Sequence, residues 1–207
     1  MSSARLLVLG THNRKKAREM VELLAGVGLE VATLADFPNA IEVDETGDSF
    51  TANATLKATQ QAVHLGQWVL AEDSGIVVDA LGGRPGIFSA RFAGPRASDD
   101  ENNARLLQEL GDTPLEKRTA HYVCQMVLAD RQGRVRSESG GQCHGRIRFA
   151  PAGSAGFGYD PLFEIIEAHR TCAELGEIVK SVLSHRARAT EQMIPRLMEL
   201  VDTGQWI

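Results

Sequence analysis

A chain of 207 residues, 43% hydrophobic and 24% charged, can bury a core and has the composition of neither a disordered nor a fibrous protein. Its net charge of -5 argues against a nucleic-acid or membrane-surface binder, which would carry a basic excess. A small anionic substrate stays open, because a few lysines and a divalent cation can hold a triphosphate on an acidic protein.

No run approaches the ~18 apolar residues of a membrane span, and Arg5–Leu9 is too short for a secretory signal. Neither nucleic acid nor membrane is expected as a partner. Cys124, Cys143 and Cys172 are odd in number and contain no Cys-x-x-Cys pair. They are expected as reduced thiols, which implies a cytoplasmic compartment.

In chain order, Leu6–Leu9 is a short continuous apolar run, the pattern of a buried strand. Gly10–Asn13 is a polar turn, and Arg14–Ala25 reads as a helix with Ala17, Met20, Val21 and Leu24 on one stripe. Gly26 and Gly28 end it, and Glu30–Leu34 reads as a second strand. A loop at Asp44–Asp48 precedes a helix from about Ser49 to Leu65, with Phe50, Ala54, Ala58 and Ala62 inward. Trp68–Ala71 reads as a strand that ends at Glu72-Asp73-Ser74-Gly75.

Ser98-Asp99-Asp100-Glu101 is a capping box opening a helix to about Leu110. Tyr122–Ala129 is strand-like, with a hairpin turn at Asp130–Gly133 and a polar, Gly-rich returning strand. Thr171–Glu174 is a second capping box. The last helix starts near Ser184, and Pro195 should kink or restart it. Mixed helices and strands in one domain, residues 1–207, predict an α/β or α+β sheet protein.

Four clusters could carry chemistry. Thr11-His12-Asn13-Arg14-Lys15-Lys16 lies where a strand passes into a helix, a place that favours an anion; it also reads as an N-cap with a solvated basic turn. Glu45, Glu72 and Asp73 are hard oxygen donors suited to magnesium; Asp73 could equally cap a turn beside a solvated Glu72. In Gly156-Phe157-Gly158-Tyr159-Asp160-Pro161, the aromatics could stack a base and Asp160 could accept from its ring N–H, or the segment is a tight loop with an aromatic plug. Lys180 could meet a phosphate, with His185 and Arg186 donating to base carbonyls, or the latter pair forms an exposed first turn.

Together these segments resemble the inosine/xanthosine triphosphate pyrophosphatase family. The matching pieces are Thr11–Asn13 with Lys16 and Glu19, Glu45–Phe50 with Asn53-Ala54 and Lys57-Ala58, Glu72–Gly75 continuing through Val78–Gly83 and Pro85-Gly86 to Ser89–Arg91, Gly156–Pro161, and Ser184–Arg186. The resemblance implies an elongated mixed sheet flanked by helices, in two lobes around a central cleft, and a homodimer. It implies hydrolysis of deaminated purine nucleoside triphosphates to the monophosphate and pyrophosphate, with magnesium. Thr11, Asn13 and Lys16 match the phosphate cradle, Lys16 also serving the chemistry; Asp73 matches the general base, and Glu45 a metal-associated acid, with Glu72 in the metal's neighbourhood. Ser74 matches a substrate contact, and Phe157, Gly158, Tyr159, Asp160, Lys180, His185 and Arg186 match the triphosphate- and base-binding side. The first acid of the pair is Glu72 where the family usually has aspartate. A pyrophosphatase for other modified nucleotides and a non-catalytic nucleotide binder on the same fold are the alternative readings.

Overall fold

The computed structural model describes residues 5–206, the side chains of 177 and 178 excepted. Strands β1 (Leu6–Leu9), β2 (Glu30–Thr33), β3 (Trp68–Val78), β4 (Thr119–Ala129), β5 (Val135–Ile147), β6 (Phe163–Ile165) and β7 (Arg170–Thr171) alternate with helices α1 (Arg14–Leu23), α2 (Phe50–Leu65), α3 (Asp99–Leu110), α4 (Cys172–Leu183) and α5 (His185–Asp202). The strands form one sheet in the order β2-β1-β3-β4-β5-β6-β7. β1 is parallel to β2 and β3, whereas β5–β6 and β6–β7 are antiparallel. The mixed α/β class read from the sequence is the class observed. Among the described residues no helix is long and apolar enough to cross a membrane, and all three cysteines are free and buried.

The chain divides into two compact units. The first holds the residues up to Asp73, Cys124–Gly141 and the chain from Arg186 on; the second holds Ser74–Val123 and Gln142–His185. In the first unit, successive strand side chains point to opposite faces, and each face has its own core. Leu7, Leu9, Trp68 and Leu70 pack with Met20 and Leu24 at α1 and Met193 and Leu197 of α5. Val8, Val69 and Ala71 pack with Ala54, Ala58 and Ala62 of α2. Small alanines let that helix sit close to its strands. In the second unit, Ile76, Val78, Tyr122, Cys143 and Phe163 pack with Leu106 and Leu110 of α3.

The helix signals mostly hold. Ser49 caps α2 by accepting from Ala52 N, and Ser98 and Thr171 form the two expected capping boxes. α1 stops at Leu23, before the glycines expected to end it. α5 continues through Pro195 and does not restart there.

The larger departure is β3. It runs unbroken for 11 residues from Trp68 to Val78, so Glu72 and Asp73 stand in mid-strand and not at a strand end. Gly75 reads as a terminator by composition, yet it is buried within the strand, where the sheet overrides its weak strand preference.

The C-terminal end is pinned to β3 by Trp206, whose ring stacks on Trp68 with centroids 4.3 Å apart and planes 10° apart. Trp206 is 7% exposed. Trp206→Ala should lower stability by about 3–5 kcal/mol, measured as a fall in the urea midpoint at unchanged m-value. An unchanged midpoint would show that the stack contributes nothing.

Candidate active site

The first unit gathers one acidic cluster on the α2 face of β3. Asp73 is buried; its Oδ1 accepts from Lys57 Nζ at 3.1 Å and its Oδ2 from Asn53 Nδ2 at 3.2 Å. Lys57 Nζ also donates to Glu45 Oε1 at 2.7 Å, so one ammonium bridges the two carboxylates. Glu45 reaches it because its loop comes close to α2: Gly47 N donates to Asn53 Oδ1 at 2.8 Å, and a Cβ on Gly47 would meet that oxygen at 2.8 Å and Ala52 Cβ at 2.7 Å. Only glycine allows that approach.

Burial pushes the Asp73 carboxyl above the usual carboxylate range; Lys57 and Lys16 oppose the shift and Glu45 adds to it. For Lys57, burial would lower the ammonium, but the charges of Asp73 and Glu45 outweigh it and hold it raised. Such an aspartate, desolvated and oriented by two donors, is a better proton acceptor than an ordinary exposed carboxylate.

Glu72 is on the opposite face. It is 1% exposed, and its Oε1 accepts from Arg186 Nε at 3.1 Å with Lys16 Nζ 3.6 Å away. The Cys124 thiol donates to Oε2 at 3.3 Å. Arg186 also pairs with Glu19. Burial works against the charged guanidinium, but Glu72 first, and Glu19 as well, hold it raised. Thus Glu72, expected beside a metal, does not converge with Glu45 and Asp73: strand alternation sends it to the other side of the sheet. Arg186, expected to face a nucleobase, commits its guanidinium to two carboxylates because a buried guanidinium needs such partners.

At the end of β1, Asn13 caps α1, its Oδ1 accepting from Lys15 N at 3.0 Å and Lys16 N at 3.2 Å. Thr11 Oγ1 accepts from Asn13 N at 3.2 Å. The backbone donors of this turn are therefore largely used. Among the described residues of this turn, the side-chain groups that could meet an anion are the Thr11 hydroxyl, the Asn13 amide nitrogen and the Lys16 ammonium, the last also 3.6 Å from Glu72 Oε1. His12, without an assigned role in the sequence, bonds to Ile41 O at 2.9 Å.

In the second unit, Asp160 is buried at the centre of a second cluster. Oδ2 accepts from Lys180 Nζ at 2.8 Å and Phe157 N at 3.0 Å, and Oδ1 from Tyr122 OH at 3.3 Å. Lys180 Nζ lies 5.0 Å from the centre of the half-exposed Phe157 ring. His185 is buried and stacked on Tyr122, centroids 4.6 Å apart. Gly156 has φ +81°, and a Cβ there would sit 2.1 Å from Asp160 Oδ2. Gly158 ties the loop to α3 through Asp99 and Asn103. Ser74, half-buried on β3, is the unit's first residue.

Several expected roles change here. Tyr159 is buried, with its hydroxyl donating to Ser89 O at 2.7 Å, so it is a core residue and offers no stacking face. Asp160 and Lys180, expected at the base and the phosphates, pair with each other at 2.8 Å, where each neutralises the other out of water. Asn53, Lys57 and Tyr122 were not singled out as site residues. A signal for the first two was present: Asn53, Lys57 and Gln61 recur at i, i+4 and i+8 beside the alanine stripe of α2, a polar row where an amphipathic helix turns inward.

The chain matches the model described as the Ham1 family over residues 7–196. A protein named dITP/XTP pyrophosphatase from Rhodopirellula baltica is 50% identical over 198 residues, covering 96% of this chain and 95% of that protein. Its namesake from Geobacillus kaustophilus is 46% identical over 195 residues, covering 94% and 95%. Among solved structures, a HAM1 protein from Coxiella burnetii superposes with a TM-score of 0.84 at 35% identity, covering 94% of this chain and 98% of that one.

The two acids should separate by stability. Glu72→Ala strands the buried Arg186 and should cost about 3–5 kcal/mol. Glu45→Ala removes a half-exposed partner and should cost about 1 kcal/mol or less. Paired urea titrations measure both, and equal costs would contradict the assignment of Glu72 to the buried frame.

Proposed function

Because the chain belongs to the Ham1 family, we propose that it hydrolyses non-canonical purine nucleoside triphosphates, such as dITP and XTP, to the monophosphate and pyrophosphate. Such an activity removes deaminated purines from the nucleotide pool. The names of its relatives support the substrate class. The observation that carries the chemistry is Asp73, buried, raised and oriented by Asn53 and Lys57.

In this reading, water attacks the α-phosphorus, the bond from it to the oxygen bridging to the β-phosphorus breaks, and pyrophosphate leaves. Asp73 accepts the proton of the attacking water. Lys16, with the Thr11 hydroxyl and the Asn13 amide, holds phosphate oxygens.

Magnesium is the proposed cofactor. It takes one or two carboxylates and fills its remaining positions with phosphate oxygens and water. Glu45 and Asp73 supply two hard carboxylates joined through Lys57, and Glu72 is not part of the set. Among the described residues no group of three or more His, Cys, Asp or Glu could hold a metal, so the proposed site draws on two carboxylates and the substrate's phosphate oxygens. When bound, it offsets the charge that grows on the phosphate oxygens.

Base selection falls to Phe157, as a stacking face, and His185, as a donor to the purine 6-carbonyl. Adenine carries an amine at that position and would leave the donor unpaired, a mismatch that polar sites reject strongly. The reading is completed by a homodimer in a cytoplasmic compartment, the latter supported by the three reduced, buried cysteines.

The test is to incubate the protein and magnesium with the inosine, xanthosine, adenosine and guanosine triphosphates and identify the released anion. Pyrophosphate is expected from the first two only. Asp73→Asn should keep substrate binding and lose at least ~10²-fold in kcat. Activity needs the ionised Asp73, so kcat/KM should fall as pH falls and the carboxyl is protonated. Orthophosphate release, or wild-type turnover in Asp73→Asn, would overturn the reading.

A further inference from the structure

β4 and β5 are neighbours in the sheet, and burial alternates residue by residue over Thr119–Tyr122 and Gln142–Ile147. Ala120 and Tyr122 are buried on β4, as are Cys143, Gly145 and Ile147 on β5, while Thr119, Gln142 and His144 are exposed and His121 is half-exposed. Alternate strand residues share a face, so both histidines stand on the outer one. Ile147 N donates to Arg118 O at 2.9 Å. Counting three residues inward along each strand of the hairpin brings His121 opposite His144. Their ring centroids are 5.3 Å apart, with planes tilted by 31°.

That spacing fits a shared ion. A tetrahedral cation ~2.0–2.1 Å from one nitrogen of each ring, with nitrogen about 1.1 Å from the ring centre, would hold the two centroids roughly 5 Å apart. Imidazole suits nickel, copper and zinc, whereas magnesium prefers oxygen. The His121 ring is also ready to bind: burial first, and His144 second, hold it below the usual imidazole value, with Asp79 opposing. Its lone pair is therefore available at neutral pH. Asp79 accepts from Thr119 Oγ1 at 2.6 Å, and its charge adds a favourable field for a cation.

We infer that His121 and His144 form a chelating pair for one late first-row divalent cation, with water completing the coordination. None of the catalytic roles proposed above uses either ring. Bound there, the ion joins β4 to β5 on the outer face, so it stabilises the folded chain by mass action.

The probe is nickel chloride titrated calorimetrically into protein without a histidine tag, at neutral pH. One ion per chain is expected, with a rise in Tm. His121→Gln and His144→Ala should each weaken binding by at least about tenfold and abolish the Tm rise, while Asp73→Asn leaves both unchanged. His144 is exposed, so its replacement leaves the core intact, and glutamine keeps the size and polarity of His121. Absence of saturable binding, binding that survives either histidine substitution, or binding lost in Asp73→Asn would each overturn the pair.

Discussion

Two adjacent carboxylates in the middle of a buried strand are held by one geometrical fact: successive side chains of a strand leave on opposite faces. Glu72 and Asp73 therefore occupy different environments. Burying either charge without a partner would cost several kcal/mol, and each face supplies its own cations. α1 and α5 bring Lys16 and Arg186 to Glu72. α2 brings Lys57, with the amide of Asn53, to Asp73. The helices that flank the first unit's sheet are thus tied to it by charge as well as by apolar packing.

The two sides are compensated unequally, and that inequality divides their roles. Glu72 meets a guanidinium, an ammonium and a thiol, and it forms part of the frame. Asp73 shares its ammonium with Glu45, so burial wins over attraction and the carboxyl is raised. A carboxylate left under-compensated is costly for stability, and it is also the one able to take a proton.

Much of the fold was legible in local chemistry. The apolar run Leu6–Leu9, the N-cap Ser49 and the capping boxes at Ser98 and Thr171 depend on near neighbours in the chain, and each holds. Gly75 reads as a terminator by composition, yet sheet pairing carries β3 through it, and α5 continues through Pro195 without a restart. At the site, the residue types and their order were readable, but the partners were not. Arg186 meets Glu72 across 114 positions of sequence, and Tyr159 is buried by a hydrogen bond to Ser89, 70 positions away. Lys57 stands in the sequence among the pieces that carry the family resemblance, but its place between Glu45 and Asp73 is set by the fold.

The central claim, that burial outweighs Lys57 at Asp73, is tested most directly by titrating the Asp73 carboxyl carbon by NMR in the wild-type protein and in Lys57→Met. The account predicts a wild-type pKa above the usual carboxylate range and a further rise in Lys57→Met, where the attraction is gone and the burial remains. A wild-type value within or below that range, or no rise in the variant, would contradict it.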